Sequence, residues 1–166
     1  MGRAGLFDED DRVELIGGEI VTMTPIGRRH VACVNRLVAL FHKHFLGRFI
    51  VSSQNPLRLS EKSEPQPDLA VLAFRPDFYA SRAATAEDAL LVVEVGESSA
   101  ALDRNVKAGL YARHGVPEYW IVDLTEGLVE SHADPSPRGY RRVRRYGPEE
   151  SVEWNGEKFP VDEMLA

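Results

Sequence analysis

The period of the hydrophobic positions changes several times along this 166-residue chain, and each change marks an element. Between Val13 and Met23 two short runs, Glu14-Leu15-Ile16 and Glu19-Ile20-Val21, flank Gly17-Gly18 in the pattern of a tight hairpin. Pro25 and Gly27 close that unit. From Arg28 to Phe45 the apolar residues Val31, Val34, Leu37, Val38, Phe41 and Phe45 recur at helical spacing, and Gly47 provides a stop. His30 falls on the inward edge of this helix, one turn before Val34. Arg29, Arg36 and Lys43 recur every seven residues and form an outward basic stripe.

Short strands are expected at Phe49 to Ser52, Pro56 to Leu59, Asp68 to Phe74 and Ala89 to Val95. A second helix is predicted from Ala101 to His114, ended by Gly115 and Pro117 before a strand from Glu118 to Val122. The remainder reads as antiparallel. Leu128 to His132 and Tyr140 to Tyr146 are separated by the turn-rich Asp134-Pro135-Ser136-Pro137-Arg138-Gly139, and Asn155-Gly156 joins Val152-Glu153-Trp154 to Glu157-Lys158-Phe159. The elements predict a mixed α/β (α+β) fold in one domain over residues 1–166, with 1–11 expected to be flexible.

Two acidic residues interrupt strands that should otherwise be apolar. Asp68 opens Leu69-Ala70-Val71-Leu72-Ala73, and Glu94 breaks Ala89-Leu90-Leu91-Val92-Val93-Glu94-Val95. A carboxylate stripped of water is costly unless a cation or a donor meets it, so two on neighbouring strands point to a shared positive partner. Helical spacing places Asp103, Lys107 and Tyr111 on one face of the element that follows Glu94, from which Lys107 can fold back to the acids. Paired carboxylates suit Mg²⁺ or Mn²⁺, ions that keep waters and take phosphate oxygens from a substrate. Phosphodiester hydrolysis is the reaction class this arrangement implies. Glu14 and Glu19 read either as exposed hairpin acids or as a completion of the metal shell.

Composition narrows the setting. The single cysteine, Cys33, rules out an internal disulfide framework and a thiolate metal cluster, and with no membrane-length apolar stretch it predicts a cytoplasmic protein. A net charge of −6 argues against coating nucleic acid by overall charge. The charge is nevertheless segregated: Asp8-Glu9-Asp10-Asp11 reads as a solvated acidic segment, whereas Arg138, Arg141, Arg142, Arg144 and Arg145 crowd one stretch. Arg141, Arg142 and Arg144 are candidates to grip nucleic-acid phosphates; the alternative is an outer strand charged against edge pairing.

The ordered set Glu14-Leu15-Ile16-Gly17-Gly18-Glu19-Ile20-Val21, Pro25-Ile26-Gly27 with His30, Gln66-Pro67-Asp68, Glu94-Val95-Gly96-Glu97-Ser98-Ser99, Asp103-Arg104 with Lys107, Leu110-Tyr111-Ala112 and Gly115 to Asp123 resembles the Uma-type putative restriction endonuclease family of the PD-(D/E)XK nuclease superfamily. The resemblance implies a restriction-endonuclease-like core, a central mixed sheet flanked by helices with extra antiparallel hairpins. It implies a Mg²⁺-dependent endonuclease in which Asp68 and Glu94 hold the metal. The superfamily's lysine would stand two residues after the second acid, where this chain has Gly96, so Lys107 is implied as its replacement. His30, Asp103 and Tyr111 are expected in support. DNA is the expected substrate, with no feature separating it from RNA, and a homodimer is expected because cutting two strands suits two-fold symmetry. Two readings compete with an endonuclease: a catalytically silent nucleic-acid-binding or assembly module on the same fold, and a structural ion network with no substrate.

Overall fold

The computed structural model describes residues 12–23, 26–97 and 103–165. The expectations for residues 1–11 with their acidic run, for Pro25, for Ser98-Ser99, for the helix start at Ala101 and for the Asp103 side chain lie outside the described residues. Strands β1 (Val13–Ile16) and β2 (Glu19–Thr22) form the expected hairpin. Gly17 and Gly18 take φ of 60° and 87°, a left-handed turn that side chains resist, which is why the glycine pair marks it in the sequence. Helix α1 spans Arg28–Phe45 and buries His30, Cys33, Val34, Leu37, Phe41 and Phe45.

Six strands build the central sheet in the order β3-β4-β5-β6-β7-β8. They are β3 (Phe49–Ser53), β4 (Leu69–Ala73), β5 (Ala89–Gly96), β6 (Glu118–Asp123), β7 (Leu128–Ser136) and β8 (Gly139–Tyr146). Only β5 and β6 pair in parallel; their crossover carries a π-helical turn, Asp103–Lys107, and helix α2 (Ala108–Arg113). Hairpin β9 (Ser151–Trp154) and β10 (Glu157–Pro160) precedes the short helix α3 (Val161–Leu165).

Strand alternation divides the core into two layers. Leu69, Val71, Leu91, Val93, Val95, Trp120 and Val122 pack with the apolar face of α1, with Phe159 of β10 and with Met164 of α3. Ala70, Leu72, Val92, Tyr119 and Ile121 pack on the other side with Ala108 and Tyr111 of the crossover. The near-continuous apolar runs of β4 and β5 follow from burial on both faces.

Three expectations are corrected, and one element lies outside them. Pro56–Leu59 is not a strand: the amides of Leu57, Arg58 and Leu59 go to three separate carbonyls, on Pro65, Ala84 and Ser63, so the segment bridges loops instead of joining a ladder. Over its described residues, 103–113, the second expected helix is a π-turn followed by a short α-helix. The turn expected over Asp134–Gly139 shrinks to Pro137-Arg138, because Asp134, at φ 59°, and Pro135 are absorbed into β7 and Ser136 pairs with Gly139. Helix α3 has no counterpart among the expected elements, being too short to display a helical period.

Candidate active site

Asp68 stands immediately before β4, where Leu69 pairs with Val93 and so brings it to the end of β5 that carries Glu94. By alternation Asp68 shares a side with Ala70 and Leu72, and Glu94 shares a side with Val92. Both acids therefore fall in the layer of Ala108 and Tyr111. The Asp68 amide donates to Glu94 Oε2 at 3.4 Å. Asp68 Oδ2 accepts the Val95 amide at 2.8 Å and meets His30 Nε2 at 3.0 Å, while Gln54 Nε2 approaches Oδ1 at 3.5 Å.

Lys107 reaches these acids from the end of the π-turn, and the α-helix that follows it sets Lys107 and Tyr111, four residues apart, on one face. Lys107 Nζ donates to Glu94 Oε1 and to Glu14 Oε1, each at 3.0 Å, and the Tyr111 hydroxyl donates to Glu94 Oε1 at 3.2 Å. Glu14 arrives from β1, docked by bonds between the hairpin and the 62–66 loop: Gly18 N to Lys62 O at 2.7 Å, Glu64 N to Leu15 O at 2.8 Å, and Gln66 N to Glu14 Oε1 at 2.8 Å. Asp68, Glu94, Lys107, His30 and Tyr111, named from the sequence, thus converge. Glu14, for which the sequence leaves an exposed acid and a metal-shell member both open, is 4% exposed and meets the lysine. Glu19 is exposed. Gln54 joins the site without any sequence signal that marks it.

Burial governs the electrostatics. Lys107 is 5% exposed and Glu94 3%, so the charges meet in little water and are compensated in place. Burial pushes His30 toward neutrality, but its hydrogen bond to Asp68 and the Asp68 charge outweigh that and the opposing charge of Arg12, so its pKa lies above 6.5. Burial likewise opposes ionisation of Asp68, yet the bond and charge of His30, with the Val95 amide and Gln54, hold its pKa below 3.8. Burial, followed by the Glu94 charge, raises the Tyr111 hydroxyl well above 10, which keeps it a donor at neutral pH.

A second ionic cluster fastens the lysine's turn to the sheet. Arg104 Nη2 donates to Asp123 Oδ2, and Arg104 Nε lies 3.6 Å from Glu130 Oε2. Glu130 also accepts Arg145 Nε at 2.9 Å and meets His132 Nε2 at 2.7 Å. Asp123 Oδ1 accepts the amides of Thr125 and Glu126, each at 2.9 Å.

Arg141, Arg142 and Arg144 are exposed on the edge strand β8, three strands from β5 and hence about 14 Å away. The structure does not bring them to the carboxylates. Arg141 lies 3.6 Å from Asp134; Arg144 lies 3.6 Å from Glu150 and stacks 4.4 Å above the Tyr146 ring.

Among the described residues no three His, Cys, Asp or Glu side chains form a group able to hold a metal ion. The donor set fits an ion that completes its shell with water and phosphate oxygens, as Mg²⁺ and Mn²⁺ do. No described helix is long and apolar enough to cross a membrane.

Comparison with known proteins adds a fold and a family. The structure resembles the crystal structure of a "putative nuclease belonging to DUF820" from Anabaena variabilis ATCC 29413, with a TM-score of 0.75 at 14% identity over 97% of this chain and 93% of that one. At that identity the likeness establishes the fold. No curated protein matches the chain. A family model described as "Putative restriction endonuclease" matches residues 3–159, and the chain belongs to this Uma2 family.

Proposed function

We propose that the buried cluster is the centre of a divalent-metal-dependent nuclease that hydrolyses DNA phosphodiester bonds. The observation that carries this reading is the meeting of Lys107 Nζ with Glu94 beside Asp68, although Gly96 occupies the strand position from which a lysine would otherwise project. A structural ion pair needs no third carboxylate. Here Glu14 and Glu94 both meet Lys107 while Asp68 meets His30, and Asp68 with Glu94 would offer two carboxylates to an ion that takes the rest of its shell from water and phosphate. When bound, Mg²⁺ would lower the pKa of a coordinated water and neutralise charge developing on the phosphate.

The chain's own residues do the rest. His30 and the Val95 amide fix Asp68 Oδ2, so that Oδ1, which among the described residues only the long contact from Gln54 meets, is the oxygen Asp68 would offer a metal. Tyr111 holds its proton and steadies Glu94 Oε1. Lys107 is a preorganised point charge for the phosphoryl oxygens in the transition state, and its bond to Glu14 aims it before substrate arrives. Cleavage of both strands of a duplex would call for two copies about a two-fold axis.

The test is cleavage of plasmid and single-stranded DNA over a series of Mg²⁺ and Mn²⁺ concentrations, with metal affinity measured by calorimetry. Wild type should cut only with metal, and Asp68→Ala, Glu94→Ala and Lys107→Ala should each lose at least about 100-fold in rate. Asp68→Ala cutting like wild type, or no detectable metal binding, would overturn the reading. DNA binding without cleavage would instead assign a silent binding module on the nuclease fold.

A further inference from the structure

Gln54 follows β3 directly and takes φ of 55°, in the left-handed region. A non-glycine residue stays there only where its surroundings hold it, and glutamine is not among the Asn and Asp residues that tolerate it best. Two bonds do the holding. The Gln54 amide donates to the Asp68 carbonyl oxygen at 3.1 Å, and the Ser53 hydroxyl donates to the same oxygen at 3.2 Å. The backbone is thereby tied to Asp68 itself, and the side-chain carboxamide is turned toward Asp68 Oδ1.

Fold stability gives little reason for a side chain at this point. Glycine would adopt the same φ freely, and the contact from Gln54 Nε2 to Oδ1, at 3.5 Å, is at the outer limit of a hydrogen bond. Asp68 does not need it for orientation, because its other oxygen is fixed by shorter bonds from Val95 and His30. Gln54 is also only partly buried, whereas Asp68 and Glu94 beside it are buried.

We propose that Gln54 is a substrate-binding residue whose carboxamide N–H donates to a non-bridging phosphate oxygen of a nucleic-acid strand bound beside Asp68 Oδ1. The inference rests on the nuclease reading and deepens it. A neutral donor suits this place: a lysine or arginine would pair with Asp68 and compete with a metal for it, and a carboxylate would repel the phosphate. The Gln54 amide bond to the Asp68 carbonyl fixes the residue beside Asp68, and its left-handed φ sets the direction in which the side chain leaves the backbone.

The experiment compares wild type with Gln54→Gly and Gln54→Ala in thermal unfolding, Mn²⁺ affinity by calorimetry, and the DNA-concentration dependence of cleavage. Gln54→Gly should melt about 2–4 °C higher than wild type through relief of strain. It should bind Mn²⁺ within about twofold of wild type, yet lose about tenfold or more in kcat/KM, the value of one hydrogen bond to a charged oxygen. Gln54→Ala should lose as much activity without the gain in melting temperature. Three outcomes would overturn the proposal: cleavage by Gln54→Gly at the wild-type rate, a loss of Mn²⁺ affinity matching the loss of cleavage, or a lower melting temperature for Gln54→Gly. A wild type that cuts no nucleic acid overturns the nuclease reading and this inference with it, whereas an active wild type with an equally active Gln54→Gly sinks this inference alone.

Discussion

His30 and Asp68 stabilise each other's charged forms, and the sign of that linkage sets a pH window. His30 has a folded pKa above its ordinary 6.5, so its contribution is complete below 6.5 and is lost as pH rises through the raised value. Asp68 has a folded pKa below 3.8, so its contribution is complete above 3.8 and is lost as pH falls through the lowered value. The pair is strongest between those limits. Urea unfolding from about pH 5 to about pH 8 should show stability declining toward the alkaline end, with a flatter profile in His30→Gln. An unchanged slope in that variant would remove His30 as the cause. Cys33 has no such role: burial pushes its thiol up to about 12 and it donates to the Met164 carbonyl, so the folded protein should leave it unmodified by a thiol reagent that labels it in urea.

The π-turn Asp103–Lys107 is the element on which the site depends most, and Arg104 is its fastening. Arg104→Ala would leave Asp123, 1% exposed, and Glu130, 4% exposed, without the guanidinium that joins them. The expected loss is about 2 kcal/mol, moderated by the Thr125 and Glu126 amides on Asp123 and by Arg145 on Glu130. Thermal unfolding should register it as a drop of about 4–8 °C, and hydrogen exchange across 103–113 should quicken more than in β4 or β5. Exchange that quickens evenly over the whole chain would deny the turn a local role. The same element shows where sequence reading stops. Gly17-Gly18, the period of α1 and the acids of β4 and β5 are local signals, and each identifies its element or residue. Nothing local distinguishes a π-turn from an α-helix over Asp103 to Lys107, and the contacts of Arg104 with Asp123 and of Lys107 with Glu14 and Glu94 are all made outside the turn. Pro56 to Leu59 reads as a strand because Leu57 and Leu59 alternate with polar residues, but no sheet edge lies beside it. Glu14 is a site residue only through the docking of a hairpin far away in sequence, and Gln54 only through the register of β3 on β4.

The sheet keeps its buried acids and its exposed arginines apart. The carboxylate cluster lies toward the β4–β5 region, and the exposed arginines line β8 at the far edge. If a bound duplex spans both, Arg141→Ala with Arg142→Ala should lower the slope of log affinity against log salt by about 2 and leave the cleavage step on bound DNA intact. A salt slope equal to wild type would reduce those arginines to guards of a sheet edge. The Lys107–Glu14 bond has a further consequence for the molecule as a whole, because its partners are 93 residues apart in sequence. Contacts of such range close late in folding, after the loops between them have lost their freedom. Until β1 docks, the lysine and its acids remain hydrated on an otherwise assembled sheet, so catalytic competence should be the last property a refolding chain regains.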